Sequence, residues 1–267
     1  MNPSHTIELW PKDSANHAEH EHGVPRIEVY LPAKPRGERV AAVVICPGGG
    51  YQGNAEHEGT PVAQLVAEHG MVGVVCWYRV KPHGWPASYA DAARAVRLTR
   101  AHAEAWGVDP GRVALMGFSA GGHNAATVAT QPEAHFDPLD ELVGRFSARP
   151  DRLALGYLVI SFVNHGHIGS MQNLLGTEVT DARKRQFSGE MQVTGETPPT
   201  FLFHADRDPG VPSTHSLGFA AALERAGVPY ELHIYPAAHH GQGLALHDAS
   251  CAAWSDQLMG WLERWEG

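Results

Sequence analysis

Four uninterrupted apolar runs constrain this chain more than any other feature: Ala41–Cys46 (AAVVIC), Met71–Tyr78 (MVGVVCWY), Arg112–Phe118 (RVALMGF) and Leu153–Ile160 (LALGYLVI). Runs of this length without polar alternation describe strands buried on both faces. Between them lie segments with helical spacing. One runs from about Thr60 to His69, with Thr60 as N-cap, Pro61 in the first turn and Gly70 beyond the end. Others cover 88–106, closed by Gly107, and Ser119–Thr130. Strands at 200–204 and 230–235 and helices at 213–226 and 247–265 continue the rhythm, while 26–32 alternates like a half-exposed strand. Strands separated by helices pair in parallel through right-handed crossovers. The expected fold class is therefore α/β, a mostly parallel central sheet with helices on both faces. Residues 1–25 read as a flexible leader, 26–267 as one domain, and 161–197 as a small lid-like insertion with helical fragments at 173–175 and 181–187.

Composition narrows the function. At 267 residues with 43% hydrophobic content the chain suits one large domain. A formal net charge of −9 argues against general affinity for nucleic acid or an anionic membrane. The three cysteines (Cys46, Cys76, Cys251) are odd in number, and two lie in strand-like runs, so they read as core residues. No basic n-region precedes an apolar stretch at the N-terminus, and no apolar run is long enough to span a bilayer, so a cytoplasmic location is expected. Eighteen histidines are present. His17, His20 and His22, beside Glu19 and Glu21, suggest a metal site only weakly, since nothing in that segment fixes four ligands; no metal and no cofactor are expected.

The chemistry concentrates where strands end. Gly117-Phe118-Ser119-Ala120-Gly121 fits G-x-S-x-G between a strand and a helix, the setting in which a sharp turn lifts a serine above the sheet. A serine hydroxyl needs a base, and in this arrangement an acid and then a histidine follow on later loops. The loop after 200–204 offers Asp206 and Asp208, and the loop after 230–235 offers His239 and His240. The residues alone do not separate either pair. Gly48-Gly49-Gly50, after the run 41–46, lacks the Lys-Ser/Thr of a phosphate loop and suits an oxyanion hole, with the Ala120 N–H as a further donor.

With these motifs in place the chain resembles bacterial α/β-hydrolases of the acetyl-xylan and sugar-ester esterase type, related to the hormone-sensitive-lipase branch. The likeness runs from about residue 26 to 265 through PGGGY (47–51), HEGTPVA (57–63), YRV (78–80), EAWGVDPGRV (104–113), GFSAGGH (117–123), NLLG (173–176), TPPTFLFHADRDPGVP (197–212) and AAALERAGVPYELHIYP (220–236). It implies the α/β-hydrolase fold. The acid-loop phrase D-x-x-V-P selects Asp208, and the family histidine directly before glycine selects His240. The related lipases read H-G-G-G where this chain has Pro47, so Gly49 and Gly50 take the donor positions. The resemblance thus implies a triad of Ser119, His240 and Asp208 cleaving short acyl esters, acetyl foremost, of sugars or xylo-oligosaccharides, with a small-molecule ester as the partner. Tyr51, Glu58, Trp85 and Gln242 are expected substrate contacts. Polar residues of the insertion, Asn164, His165, His167 and Gln172, suggest a polar cleft. Two rivals share the triad, an arylformamidase and a small peptidase; a non-catalytic binding protein of the same fold and a metal-dependent hydrolase are the others.

Overall fold

In the computed structural model, which describes residues 2–20, 22–132, 140, 142–164 and 166–265, the apolar runs lie side by side at the centre of one sheet. The strands are β1 (His5–Glu8), β2 (Arg26–Tyr30), β3 (Val40–Cys46), β4 (Val72–Trp77), β5 (Val108–Phe118), β6 (Arg152–Gly156), β7 (Thr200–Ala205) and β8 (Tyr230–Tyr235). Their order is β1-β2-β4-β3-β5-β6-β7-β8. β1 and β2 run antiparallel to their neighbours, and all other pairs are parallel. The helices are α1 (Thr60–Glu68), α2 (Ala87–Ala101), α3 (Ala103–Trp106), α4 (Ser119–Thr130), α5 (Ile168–Leu175), α6 (Asp181–Gln186), α7 (Thr214–Ala226) and α8 (Ala253–Glu263). Among the described residues no helix is long and apolar enough to cross a membrane.

Strand alternation sorts the core into two layers. Val44, Leu115, Leu155 and Leu202 face one cluster, which takes in Ala92, Val96 and Phe219 from α2 and α7. Val43, Ile45, Met116 and Phe203 face the other, filled by Val62 and Val66 of α1 and Trp254, Leu258 and Trp261 of α8. Both faces of β3, β4 and β5 are covered, which is why these strands read as continuous apolar runs.

Several boundaries differ from the sequence expectation for local reasons. The helix expected over 88–106 is broken at His102 into α2 and α3. β6 ends at Gly156, four residues early, because Tyr157 takes a positive φ of 32° and the chain turns to hydrogen-bond Ser119 O through the Val159 N–H at 3.0 Å. The last helix starts at Ala253 rather than 247, since Asp248 and Ala245 organise turns before it.

The N-terminal segment is a larger correction. Residues 5–10 belong to the fold rather than to a flexible leader: β1 pairs with β2, and Leu9 and Trp10 are buried. Trp10 Nε1 donates to Asp91 Oδ1 at 2.6 Å, and Asp91 forms a buried ion pair with Arg79 at 2.8 Å. The Arg94 guanidinium lies 4.6 Å from the Trp10 ring centroid. Burial pushes the Asp91 carboxyl upward, against the opposing hydrogen bonds of Arg79 and Trp10, so each donor matters to keeping it ionised. The sequence hid this because only two apolar residues, set among histidines and acids, carry the burial.

Trp10→Ala is expected to lower stability by about 3–5 kcal/mol, through the lost ring volume and the lost donor to Asp91. Trp10→Phe, which keeps most of the ring, should cost about 1–3 kcal/mol. Urea midpoints at constant m-value check both, and a Trp10→Ala midpoint close to that of the unmodified protein would return this segment to the role of a leader.

Candidate active site

The residues of G-x-S-x-G make a strand-to-helix turn that leaves no room for other side chains. Phe118 is still extended at φ −117°, ψ 139°. The next residue, Ser119, sits at φ +50°, a left-handed conformation that a non-glycine residue adopts only where its surroundings enforce it. A Cβ on Gly117 would lie 2.2 Å from Gly121 O, and one on Gly121 would lie 2.1 Å from Cys46 O. The two glycines let the turn close against itself and against the end of β3. Ser119 then stands at the carboxyl end of β5 as the first residue of α4, 8% exposed.

The loops after β7 and β8 bring two further groups to it. Ser119 Oγ is 2.8 Å from His240 Nε2, and His240 Nδ1 is 2.7 Å from Asp208 Oδ2. Asp208 Oδ1 accepts from the N–H groups of Gly210 and Val211 at 2.8 and 2.9 Å. Its other oxygen also lies 3.5 Å from Nε2 of the buried His204. Burial alone would raise the Asp208 carboxyl, but these donors, led by His204 and His240, hold it well below the usual carboxylate range. An ionised Asp208 takes the Nδ1 proton of His240 as its hydrogen-bond donor, which leaves Nε2 as the acceptor for the serine hydroxyl. The alternatives left open by the residues point elsewhere. Asp206 is exposed beside Arg207 at 3.4 Å, and His239 is exposed with Asp248 at 4.0 Å.

The glycine loop faces the same serine. Gly49, Gly50 and Tyr51 follow one another at φ +122°, +65° and +58°. A Cβ on Gly49 would meet Gly53 O at 2.3 Å, so glycine is required there. Among the described residues neither the Gly49 nor the Gly50 N–H donates a hydrogen bond, and the Ala120 N–H, in the first turn of α4, has no acceptor within the helix. Side chains from four places hold the loop. Tyr78 donates its hydroxyl to Pro47 O at 2.6 Å, and Glu58 accepts from Gly48 N at 2.6 Å. Asn173 of α5 donates to Gly50 O at 2.9 Å, and Tyr51 reaches His123 Nδ1 at 2.8 Å. His123 is buried in α4; its Nε2–H donates to Phe187 O at 2.7 Å, so Nδ1 is the acceptor, with the Tyr51 hydroxyl at 2.8 Å and the Tyr89 hydroxyl at 2.9 Å sharing its lone pair. Burial lowers its pKa to about 4 and keeps it neutral.

Two of the four expected substrate contacts are therefore corrected. Tyr51 (1% exposed) and Glu58 (2% exposed) turn inward and are spent on holding the loop. Trp85 is half-buried, with its ring edge-on to Tyr89 and Phe187 at 4.8 and 4.5 Å. Gln242 joins His240 in lining a cleft of about 320 Å³ with His239, Ala245, Leu246, His247 and Asp248. In the insertion, His167 caps α5 by accepting from Ser170 N at 3.1 Å. Burial lowers the His167 pKa, and the charge of His240 lowers it further, which puts the start of α5 at the edge of this site. His165 and, in the N-terminal segment, Glu21 lie outside the described residues. His17 pairs with Glu8 at 3.0 Å and His22 accepts from Asn54 N at 3.2 Å. Among the described residues no group of three or more His, Cys, Asp or Glu side chains is arranged to hold a metal ion. Asn173, His123 and His204 were not singled out from the sequence. Their only signal was a lone polar residue inside an otherwise apolar motif.

The chain is similar to several known proteins. The BD-FAE family model matches residues 27–223. Endo-1,4-beta-xylanase B of Butyrivibrio fibrisolvens is 31% identical over 92% of this chain and 39% of its own length. The acetylxylan esterase of Xylanibacter ruminicola is 31% identical over 91% of this chain and 48% of its own. The chain thus spans less than half the length of these two relatives. Among solved structures, an acetyl ester-xyloside bifunctional hydrolase from Caldicellulosiruptor lactoaceticus superposes with a TM-score of 0.89 at 36% identity, covering 98% of this chain and 96% of that one. The propionate-bound esterase Est2 of Thermogutta terrifontis superposes at 0.76 with 26% identity over 92% of each. Fold, elbow and family model converge, and the chain belongs to the BD-FAE family of α/β-hydrolases.

Proposed function

We propose that this chain is a serine carboxylesterase that removes short acyl groups, acetyl foremost, from sugars such as xylo-oligosaccharides. The observation that carries the reading is the continuous hydrogen-bonded line from Ser119 Oγ through His240 to Asp208, at 2.8 and 2.7 Å, on a strained elbow. Ser119 Oγ attacks the ester carbonyl while His240 Nε2 takes its proton. The oxyanion is stabilised by the N–H groups of Gly49, Gly50 and Ala120, which are already oriented and so need no reorganisation as charge develops. His240 then returns the proton to the departing alcohol, and water, deprotonated by the same histidine, releases the acid. Support for a short acyl group and a sugar alcohol comes from the acetylxylan esterase and the acetyl ester-xyloside hydrolase among the relatives, and from the propionate held by the Thermogutta esterase. The polar residues of the insertion favour the same reading.

The test is a panel of acetylated xylose and p-nitrophenyl esters from acetyl to octanoyl, assayed with the unmodified protein and with Ser119→Ala. Ser119→Ala should abolish fluorophosphonate labelling and lower turnover by several orders of magnitude. The unmodified protein should prefer acetyl. A hydrophobic acyl tunnel would instead gain about 0.8 kcal/mol per added methylene, and faster octanoyl turnover would remove the short-acyl part of the proposal.

The two ambiguous pairs are separated by mutation. His240→Ala should match Ser119→Ala, whereas His239→Ala should stay within about tenfold of the unmodified protein. Asp208→Asn should cost about 10²- to 10⁴-fold in kcat by losing the histidine tautomer, and Asp206→Asn little. The reverse order in either pair would shift the proposed assignment by one loop position.

Activity should rise with pH as His240 loses its proton, because only neutral imidazole acts as the base. Asp208, held far below the carboxylate range, stays ionised throughout, so it adds nothing to the acid limb. His123, with its pKa lowered to about 4, is already neutral there. The acid limb of log kcat/KM should therefore have unit slope, and a slope of two would show that a further group of the site, such as the buried Glu58 carboxyl, which burial pushes upward, is protonated there as well.

A further inference from the structure

We infer that Glu58 is a positioning residue that fixes the glycine loop and the histidine loop relative to one another and whose negative charge favours the protonated form of His240. The inference rests on the serine esterase reading and adds to it a residue that touches neither substrate nor nucleophile.

Glu58 ends a short 3₁₀ turn (Glu56–Glu58) ahead of α1, with its carboxylate buried between two loops. Oε2 accepts from Gly48 N at 2.6 Å, in the glycine loop. A Cβ at Gly48 would lie 2.7 Å from that oxygen, so the absence of a side chain is what admits the carboxylate. Oε1 accepts from Tyr157 Oη at 2.8 Å, and the same tyrosine oxygen accepts from Gly243 N at 2.9 Å, three residues beyond His240. The line Gly48 N–H, Glu58, Tyr157 O–H, Gly243 N–H therefore ties one loop to the other through buried groups. The adjoining His57 strengthens the contact: its Nε2–H donates to Gly241 O at 2.8 Å, and a Cβ on Gly243 would meet His57 O at 2.8 Å.

Both partners of the carboxylate donate to it, Gly48 N–H to Oε2 and Tyr157 O–H to Oε1. Two donors favour the anion, while burial pushes the carboxyl upward. The groups facing it are His57, with Nε2 3.9 Å from Oε1, the hydroxyls of Tyr157 and Tyr78, and His240. His240 is faced in turn by Asp208, His167, Glu58 and the Tyr157 ring, 5.2 Å away between centroids. A second buried anion on this side assists the step in which His240 holds the serine proton, and its partner Gly48 N–H keeps the adjacent donors of Gly49 and Gly50 in register.

Glu58→Gln, assayed beside Ser119→Ala on p-nitrophenyl acetate, tests the inference. The expected result is a kcat lowered about 10- to 100-fold, KM within threefold, and an acid limb of kcat/KM displaced to lower pH by about half a unit or more, since imidazolium is then less favoured. A purely structural tie would lower kcat and leave the limb in place. Either an unmoved limb or a kcat within threefold of the unmodified protein overturns the inference. If Glu58→Gln does not fold, as judged by thermal melting, Tyr157→Phe is measured instead: it breaks the tie to Gly243 and takes away a donor that holds the Glu58 carboxyl down against burial. Its kcat should fall about tenfold with the acid limb displaced to no higher pH, and an unchanged kcat or a limb displaced to higher pH overturns the inference. Residual turnover in Ser119→Ala would instead count against the esterase reading itself. With Ser119→Ala silent, the Glu58 result speaks to Glu58 alone.

Discussion

The close contact between the Gly121 backbone and the end of β3 governs this molecule. With a hydrogen where any other residue would carry a Cβ, Gly121 packs against Cys46 O, and Gly117 packs against Gly121 O. These contacts bend the chain from β5 into α4 within one residue and hold Ser119 at φ +50°. The rest of the site is arranged around that fixed point. β3 and β5 are adjacent and parallel, with Cys46 beside Gly117, so the loop that leaves β3 passes directly in front of the serine. β7 and β8 continue the sheet on the other side of β5 and β6, and their loops reach the serine from that side with Asp208 and His240. A parallel sheet puts all of these loops at one edge, which is why residues 48–50, 119, 208 and 240 converge although they are distant in sequence.

Strain and exposed donors have to be stabilised elsewhere. The glycine loop has three consecutive positive φ angles and leaves two N–H groups without acceptors among the described residues, an arrangement that an isolated loop would relax. Here it is bound at Pro47 O, Gly48 N, Gly50 O and the Tyr51 hydroxyl by side chains from the β4 end, the 3₁₀ turn, α5 and α4. Each tie satisfies a polar group that burial would otherwise penalise by about 1–3 kcal/mol. Because the ties come from four separate elements, no single segment can shift without breaking one. Under the esterase proposal the donors are thereby preorganised, which is the condition under which hydrogen bonds to a developing charge are most effective.

What was legible in the sequence follows from this physics. Parallel strands buried on both faces leave long apolar runs, so β3 and β4 were readable to within a residue and β5 from Arg112 to its end, although that strand begins four residues earlier at Val108. The elbow was readable because its glycines are sterically obligatory. The pair Asp206 and Asp208 could not be separated by spacing, since the difference lies in which carboxylate meets the N–H groups of Gly210 and Val211, a matter of loop shape. Tyr51 and Glu58 were misread for a related reason. Polar and aromatic residues beside a glycine loop look like ligand contacts, and only three dimensions reveal that their partners are His123 and Gly48. The N-terminal segment was lost because its full burial rests on Leu9 and Trp10, just beyond β1, with Ile7 packed in part beside the core, and the partner of Trp10, Asp91, is 81 residues away.

The insertion brings the same reasoning to substrate choice. The triad geometry is set by the sheet and its loops, and among the described residues none of its hydrogen bonds involves a residue of 161–197. Yet α5 from that insertion supplies Asn173 to Gly50 O, and His167 at its start lies within electrostatic reach of His240. Sequence change in the insertion can therefore alter what enters the site while the Ser119–His240–Asp208 line stays intact, provided Asn173 still holds Gly50 O and the Phe187 carbonyl still holds His123. Under the esterase proposal this separates chemistry from selectivity. Bond cleavage would rest on residues locked into the sheet edge, and the alcohol or acyl preference on a segment joined to the glycine loop through these few contacts. Such a division lets one fold serve many esters, because the contacts that must be kept are few and the surface free to vary is large.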